Sequence, residues 1–521
     1  MTAAVVSGQV PLTVTAEMVH TLAVHERVCV RPVLRSVTDR VTGDSTRVAI
    51  RCGSTRDSKC PPCAHKARVL RTHQCAEGWH LAKEPTGHPP AVLDENFDDD
   101  QVDDDDQGED DGPRRVRSTR RRQDATDLPK VPIENRTIGH TFQTPNGKAY
   151  RPSMFVTLTL PSYGRVIPGV GAPERPTSYD YRRAALDALH FPKLVDRWVQ
   201  NLRRCAGYKV QYFSAIEAQR RLAPHLHAAI RGAIPRATIK AVTKATYAQL
   251  WWPAFDRAVY VDRLPVWDRD SQCYRDPDTG HQLRTWDQAL DALDTDPNAE
   301  PAHVLRFGTQ VDIQGILGGT PDADRAVRYL TKYLTKAIAD THTDPVTSQP
   351  DPRMTAHVNR LHAEVRWLPC TPECANWLCY GIQPRDPGPG LIPGNCPGKA
   401  HEKENLGLGG RRVLASRKWS GKTLTEHRAD RAAVVRRALE AAGMDAPEVD
   451  RCAADVLHTD GRPRFVWEHV PVTAADYVDV LTASIIERRR WRTQYETAKA
   501  ATGPPGAVDA RSATPTAAPA A

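Results

Sequence analysis

The stretch "IEAQRRLAPHLHAAIRG", residues 216–232, decides how the rest of this sequence is interpreted. The segment "HLHAAIRG" predicts a strand, in which alternate residues share a face, so His225 and His227 project together in the geometry of a two-imidazole metal site. Glu217 lies on an earlier predicted strand that could pair in a hairpin through "RRLAP", where it could supply a carboxylate as third ligand. The plainer alternative is a pair of ordinary histidines on a half-exposed strand.

A second informative stretch is "AVRYLTKYLTKAI", residues 326–338, which contains two copies of Tyr-Leu-Thr-Lys. It has no Gly or Pro and predicts a helix, on which residues four apart share a face. Tyr329 and Tyr333 then point the same way, with Lys332 and Lys336 beside them. The alternative is an amphipathic helix whose rings are packed in a core.

Together the two stretches indicate phosphodiester chemistry. A metal ion held by two imidazoles and a carboxylate can polarise a phosphodiester as a Lewis acid. A phenol oxygen can then attack phosphorus, leaving a phosphotyrosine and a free 3′-hydroxyl. Neighbouring lysines can lower the pKa of the phenol or hold a phosphate. Two tyrosines would allow two successive transfers. Histidine-triad nucleotide hydrolases are a weak competitor, because Ala229 stands where their third histidine would be.

Charge and composition favour a nucleic-acid partner. The 521-residue chain has net charge +8, although residues 94–111 hold 12 acidic and no basic residues. The rest of the chain is therefore strongly basic, which favours a polyanionic partner. We expect a cytoplasmic protein without a membrane partner, since no signal peptide and no run of 18 apolar residues is present. Disulfides are disfavoured there, so the 12 cysteines need another explanation.

The sequence predicts an α+β protein with several regions. A disordered linker is expected where the charge runs lie, and an insertion rich in Asp, Pro and Thr is expected at 262–302. Helices are predicted at 178–204, 234–250 and 322–340. The predicted regions are an N-terminal Cys-rich module at 1–90, the linker at 91–135, a catalytic domain at 136–345, a second Cys-rich module at 346–422, a helical basic region at 423–500 and a disordered tail at 501–521.

The first cysteine cluster predicts a structural zinc site, because a Cys-x-x-Cys pair followed by basic residues is typical of zinc ribbons. No thioredoxin-like context supports a redox interpretation. Cys75, His65 and His73 are rival fourth ligands. The predicted zinc ligands are Cys29, Cys52, Cys60 and Cys63.

The second cluster offers a second zinc site, in which Cys379 competes as a ligand. Cys205, Cys273 and Cys452 are interpreted as ordinary thiols. The segment "WSGKT" (419–423) lacks the glycine and the leading strand of a phosphate-binding loop, so we reject an ATPase and expect a separate host helicase to open the strands. The predicted ligands of the second site are Cys370, Cys374, Cys396 and His401.

Three motifs in order resemble those of the HUH-endonuclease superfamily, specifically rolling-circle replication initiators of the RepSA type from actinomycete plasmids. "FVTLTLPS" (155–162) is similar to the first motif, "PHLHAAI" (224–230) to the His-hydrophobic-His motif, and "YLTKYLTK" (329–336) to the Tyr-x-x-Lys-Tyr motif. The resemblance extends to the Cys-rich flanks and covers roughly 29–72 and 140–425.

The resemblance implies a ferredoxin-like or palm-type antiparallel sheet, with the histidines on a central strand and the tyrosine helix alongside. It implies Mg²⁺ or Mn²⁺ in the site and nicking of single-stranded or hairpin origin DNA, with a 5′-phosphotyrosine adduct. Some relatives carry Glu at the first tyrosine position, which favours Tyr333 for first attack and Tyr329 for termination. A transposase of the same superfamily and a non-catalytic zinc-ribbon DNA-binding regulator are the alternatives.

Overall fold

The computed structural model describes most of the chain. The described residues are 15–81, 83–85, 125, 127–139, 141–143, 145–147, 149–332, 334–335, 338, 351–409, 412–416, 418–441 and 456–502. Most of the predicted linker at 91–135 and of the predicted tail at 501–521 lies outside these residues, as does Cys452.

The described elements alternate between helices and short strands. The α-helices are α1 (Ala16–His25), α2 (Pro61–Trp79), α3 (Tyr181–Ala206), α4 (Arg236–Ala245), α5 (Trp286–Thr295), α6 (Pro321–Thr331), α7 (Pro352–Trp367), α8 (Leu424–Ala441) and α9 (Ala474–Thr502). The strands are β1 (Val33–Asp39), β2 (Ser45–Ile50), β3 (Phe142–Gln143), β4 (Ala149–Tyr150), β5 (Pro152–Thr159), β6 (Tyr212–Ala218), β7 (Pro224–Arg231), β8 (Tyr247–Leu250), β9 (Val266–Asp268), β10 (Cys273–Arg275), β11 (His303–Arg306), β12 (Val311–Leu317), β13 (Val413–Ala415) and β14 (Phe465–Val470).

The chain forms two compact units, and the smaller one combines residues from both ends of the sequence. The larger unit is Thr72–Thr423, and the smaller unit combines Met1–Arg71 with Leu424–Ala521. Within the part that the structure describes, none of the helices has both the length and the apolar character of a membrane span.

The larger unit is built on a five-stranded antiparallel sheet with the order β12-β5-β7-β6-β13. Strand β7 is therefore central, with β5 on one side and β6 on the other. The hairpin between β6 and β7 sets the register that matters most, pairing Glu217 with His225 and Ala215 with His227. The mixed helix and sheet composition and the antiparallel pairing agree with the predicted class.

The two faces of this sheet are covered by different helices. Because side chains alternate along a strand, Leu226 and Ile230 of β7 face one side and pack with Trp198 of α3 in the main core. Ala229 faces the other side, where Val327 of α6 contributes to a smaller core. The odd-numbered residues of β7, including the two histidines, therefore lie on the face that α6 covers.

The turn between β6 and β7 holds the hairpin register. The amide of Leu222 donates to the Gln219 carbonyl at 2.8 Å, and the Gln219 amide donates to the Ala223 carbonyl at 2.9 Å. Leu222 has φ +63°, the left-handed position that glycine usually occupies in such a turn. That conformation costs roughly 1–2 kcal/mol for a residue with a Cβ. Leu222 is 3% exposed, and burial of its side chain, worth about 2 kcal/mol, offsets the cost.

Arg221 in the same turn anchors the hairpin to the chain that follows β5. Its guanidinium donates to the carbonyls of Leu160 and Pro161, both at 2.7 Å, and lies over the ring of Tyr163. The Tyr179 hydroxyl donates to the Arg221 carbonyl at 2.8 Å. The turn is thus fixed from both sides, which fixes the position of the residues that follow it on β7.

The smaller unit contains a three-stranded antiparallel sheet with the order β14-β1-β2. At its end, Arg464 donates to both carboxylate oxygens of Asp39, the shorter contact being 2.6 Å. Helix α9 begins with a capping arrangement, in which Thr473 and Asp476 exchange hydrogen bonds. Leu481 and Ile485 of α9 are buried against the segment that carries the first cysteine cluster.

Three predicted elements differ from the observed ones. The predicted helix at 234–250 is α4 followed by strand β8, which pairs with β11. The tyrosine helix, predicted over 322–340, is α6 and ends at Thr331. The predicted insertion at 262–302 contains the β9–β10 hairpin and helix α5.

Candidate active site

The structure brings Glu217, His225 and His227 together on the α6 face of the central sheet, and we call this group the triad. One donor atom from each lies within 4.8 Å of the other two. The Glu217 Oε2 atom is 3.9 Å from Nε2 of His225 and 3.7 Å from Nε2 of His227. The cross-strand register explains the assembly, because Glu217 pairs directly with His225 and the second histidine follows two residues later.

His227 is held in place by its neighbours on β5. Its Nδ1 atom lies 2.9 Å from the hydroxyl of Thr157, its cross-strand partner, and its ring stacks on Phe155. A hydrogen bond at Nδ1 leaves Nε2 as the atom that faces Glu217, an arrangement common among metal-ligating histidines. Burial lowers the pKa of His227 to about 3 and that of His225 to about 4, so both imidazoles are neutral and can donate a lone pair at neutral pH.

The polar atoms of the triad fit a bound cation. Burial raises the pKa of Glu217 to about 7, while the charges of Arg412 and Lys332 lower it. Glu217 Oε1 and His225 Nδ1 are buried without a hydrogen-bond partner among the described residues. A buried carboxylate beside two neutral imidazoles is a set of donors that fits a divalent cation, which would compensate the charge that burial penalises. With three protein ligands, positions on the metal would remain open.

Tyr329 is the phenol that the structure places at the triad. Its hydroxyl lies 3.4 Å from His227 Nε2, and its ring meets Phe155 edge to face. Tyr329 as a whole is 44% exposed, so the residue lies at the surface of its unit. Lys332 is exposed one turn later and acts electrostatically on Glu217. Tyr333 and Lys336 lie outside the described residues.

Arg412 is a residue at this site that the sequence did not reveal. Its carbonyl accepts from the Ile216 amide at 2.7 Å, which places it beside the strand that carries Glu217. Its half-buried side chain lowers the pKa of Glu217 more than any other charge does. It belongs to no recognisable motif and reaches the triad only because β13 pairs with β6 from about 200 residues away. The site therefore carries two cationic side chains, Lys332 and Arg412, both distant from Glu217 in sequence.

The first cysteine cluster assembles in the smaller unit. The sulfur atoms of Cys29 and Cys60 are 3.8 Å apart, and the Cys52 amide donates to the Cys29 sulfur at 3.3 Å. Cys63 lies in the first turn of α2. A hydrogen bond with Cys63 lowers the pKa of the Cys29 thiol to about 5, which favours the thiolate that a metal needs. The donor atoms that lie within 4.8 Å of one another are those of Cys29, Cys52, Cys60 and Cys63.

The second cluster assembles in the larger unit, after the end of α7. The Cys370 and Cys396 sulfur atoms are 3.9 Å apart, and Cys374 Sγ lies 3.5 Å from His401 Nε2. His401 Nδ1 lies 2.8 Å from the Val365 carbonyl, which orients the ring as second ligand shells commonly do. The grouped donors are Cys370, Cys374, Cys396 and His401. Both clusters offer four ligands of the types that close a tetrahedral structural zinc site, and both could bind zinc.

The rival ligands lie outside these groups. Cys75 is fully buried beside Trp79 and Trp419 in the core under α6. His65 lies 3.2 Å from Arg68, and neither His73 nor Cys379 is among the grouped donors. Trp419, the first residue of the segment weighed as a phosphate-binding loop, is likewise a core residue.

Comparisons with known proteins point in one direction. A family model described as "RepSA: Replication initiator protein, pSAM2" matches residues 15–490. A curated "Replication initiator protein" from Streptomyces ambofaciens is 29% identical over 227 residues, which are 37% of this chain and 44% of the relative. The chain therefore matches less than half of that relative's length. No solved structure matches at a significant level. The family match covers the triad, Tyr329 and both cysteine clusters.

Proposed function

The chain belongs to the RepSA family of replication initiator proteins, and on that premise we propose that it starts rolling-circle replication of a plasmid by nicking one origin strand. The reaction would use a tyrosine hydroxyl as nucleophile. Attack at phosphorus would form a 5′-phosphotyrosine and release a free 3′-hydroxyl, from which a polymerase could extend. The partners would be origin DNA, single-stranded or as a hairpin, and a separate host helicase.

The observation that carries this proposal is the Tyr329 hydroxyl, 3.4 Å from His227 Nε2. A nucleophile must lie close to the group that activates its target, and this phenol is next to His227 of the triad. Its partial exposure suits a polynucleotide, which cannot enter a closed pocket. Lys332 and Arg412 both act on Glu217, and in the proposed reaction they would attract the phosphodiester and favour the phenolate.

The triad residues would hold the metal that we propose for the reaction, Mg²⁺ or Mn²⁺. Such a cation, when bound, withdraws charge from a phosphate oxygen and makes phosphorus more electrophilic. The chain's own contribution is orientation. Thr157 and Phe155 fix the His227 ring, and the hairpin register places Glu217 opposite His225. Mn²⁺ accepts imidazole ligands more readily than Mg²⁺ does.

We also propose that the central sheet is of the HUH type. The two histidines lie on the middle strand of five antiparallel strands, and the helix with Tyr329 covers the same face. Tyr333 stays a prediction, as does its role in first attack. In the proposed cycle one tyrosine opens the strand and the other accepts the displaced end for rejoining.

The test is a covalent-adduct assay on single-stranded oligonucleotides that tile the plasmid origin. The full-length protein is incubated with each oligonucleotide and Mn²⁺, and adducts are resolved on a denaturing gel. The proposal expects one oligonucleotide to give an adduct that the Tyr329→Phe, Tyr333→Phe double variant does not form. Tyr150→Phe, at an exposed tyrosine of β4, is the matched control and should behave as wild type.

The single variants assign the roles. If Tyr333 attacks first, Tyr333→Phe loses the adduct, and Tyr329→Phe keeps it but fails to rejoin the strand. The exchanged result would make Tyr329 the first nucleophile. An adduct formed by the double variant would overturn the tyrosine mechanism. A shift in mobility without any adduct in the wild type would indicate a DNA-binding regulator.

A further inference from the structure

The smaller unit carries a group of exposed cations that the proposed nicking chemistry does not use. They come from five separate segments of the chain: the end of α1, the loop after β2, and helices α2, α8 and α9. All are exposed. We call them the basic patch, and its members are Arg27, Arg51, Lys66, Arg428, Arg431, Arg488 and Arg492.

Packing brings these segments together, because Val28 after α1, Cys63 of α2 and Ile485 of α9 belong to one buried cluster and α8 packs along α9. Electrostatic interactions between the cations agree with this arrangement. The charge of Lys66 is repelled by the charges of Arg51, Arg428 and Arg431. The charge of Arg488 is repelled by the charges of Arg51, Arg492 and Arg27. Arg51 belongs to both groups and joins them. Partial desolvation, together with these neighbouring positive charges, lowers the pKa of Lys66 and of Arg488, so the charges repel one another in the free protein.

Three members of the patch carry a charge that no ion pair compensates within the described part of the chain. Among the described residues, Lys66, Arg51 and Arg488 have no ion-paired partner. The acid that acts on Arg488 is Glu26, and its carboxylate is already bound by Arg489 at 2.7 Å. Cations that repel one another at a surface are stabilised when a polyanion supplies the missing charge. A row of phosphates does this and releases condensed counterions at the same time.

We propose that the basic patch binds the phosphate backbone of double-stranded DNA. The choice of duplex over single strand rests on the spread of the cations over five separate segments of the chain. A duplex offers two rows of phosphates to such a surface, whereas a single strand offers one. Arginine forks from several segments suit the closely spaced phosphates of two strands. The inference deepens the proposed function: this unit would hold origin duplex while the triad acts on a single strand.

Helix α9 supplies a test with a control on the same helix. Arg488 and Arg492 are four residues apart and share one face, whereas Arg490 is two residues from each and points away from that face. The double variant Arg488→Gln, Arg492→Gln should weaken binding to a fluorescein-labelled 30-bp duplex of arbitrary sequence. Its slope of log affinity against log salt should fall by about two, one for each lost phosphate contact. Arg490→Gln should match the wild type in both measurements.

A second double variant, Lys66→Gln with Arg431→Gln, removes two members of the patch from other helices and should give the same loss. Zinc content and circular dichroism of each full-length variant check that the fold is kept. Wild-type duplex affinity in both double variants would overturn the proposal, and so would an equal loss in Arg490→Gln. A loss confined to the matching single strand would assign the patch to single-stranded DNA instead.

This experiment is separate from the nicking assay. Both double variants leave Tyr329 and the triad intact, so they should still form the covalent adduct on a single-stranded oligonucleotide. A chain that forms no adduct with any origin oligonucleotide, but loses duplex binding in the double variants, would contradict the nicking mechanism and support the basic patch. The reverse result would contradict the patch alone.

Discussion

The triad and the second cysteine cluster belong to the same unit but offer a metal ion different sets of ligands. The triad offers one oxygen and two nitrogens, with a half-exposed phenol beside them. The cluster offers three sulfurs and one nitrogen on short irregular segments. Four ligands complete a tetrahedral shell, whereas three leave room for a substrate. The ligand count therefore separates a site that would hold the fold from one that would act on DNA.

The sharpest way to break this comparison is to remove a triad ligand. His227→Ala should reduce nicking about 10³-fold, because Lewis-acid stabilisation of a phosphoryl transition state contributes several kcal/mol. Affinity for duplex DNA and zinc content should stay unchanged. The exposed residue His281 provides a control, His281→Ala. Full nicking by His227→Ala with Mg²⁺ would show that His225 and His227 are an ordinary pair of histidines without a catalytic metal.

The corresponding change in the cysteine cluster should affect stability first. Cys374→Ser should lower the zinc content by one ion per chain in native mass spectrometry. The melting temperature should fall by roughly 10 °C, since structural zinc sites couple metal binding to folding. Cys205→Ser, at a thiol outside both clusters, is the control. Unchanged zinc content in Cys374→Ser would remove the contrast between the two sites.

The pH dependence of Mn²⁺ binding sharpens the comparison further. Burial raises the pKa of Glu217 to about 7, so a proton competes with the metal below that pH. Mn²⁺ should bind about tenfold more tightly at pH 8 than at pH 6, measured by electron paramagnetic resonance. The pKa values of His225 and His227, about 4 and about 3, lie below this window and add nothing. Glu217→Gln should bind weakly and without this dependence.

The same shift has a stability counterpart in protein without Mn²⁺ or Mg²⁺. The folded state binds a proton at Glu217 more tightly than the unfolded chain does, so the contribution of Glu217 to the free energy of unfolding falls as pH rises from about 4.5 to 7. Glu217→Gln should remove that component. Equal Mn²⁺ affinity of the wild type at pH 6 and pH 8 would contradict the assignment of Glu217 as a ligand.

The smallest effect is expected at the rival ligand of the cluster. Cys379→Ala should leave zinc content unchanged and lower the free energy of unfolding by about 1 kcal/mol, the result of a small cavity in a packed region. Cys379 is 6% exposed but lies outside the grouped donors. A loss of one zinc ion in Cys379→Ala would contradict this prediction and would make Cys379 the fourth ligand in place of His401.

Local patterns predicted the parts of the site that lie close together in sequence. The His-x-His spacing and the short connection back to Glu217 are enough to predict the hairpin, because alternation and turn length determine which residues face each other. The tyrosine helix was predicted from its lack of Gly and Pro. Its end was not, since the prediction ran to residue 340 and α6 ends at Thr331. Tertiary packing decides such boundaries more than propensity does.

Contacts between segments that are distant in sequence could not be predicted from local patterns. Arg412 comes beside Glu217 through β13, and no local pattern indicates that pairing. The helix predicted at 234–250 includes the residues of strand β8, although the β-branched Thr246 and the aromatic Tyr247 favour extended structure. Helix α5 had a visible signal: Thr285 and Gln288 form a capping box, which the Thr-x-x-Gln spacing encodes.

The β14-β1-β2 sheet has a consequence for synthesis of the chain on the ribosome. Asp39 and Arg464, which close that sheet, are 425 positions apart. At bacterial rates of roughly 5–20 residues per second, β1 would emerge about 20–90 seconds before its partner strand. The larger unit can complete its own sheet in that interval. The smaller unit is therefore the last to form, and a ribosome that stalls late would release a chain with a finished triad and no completed basic patch.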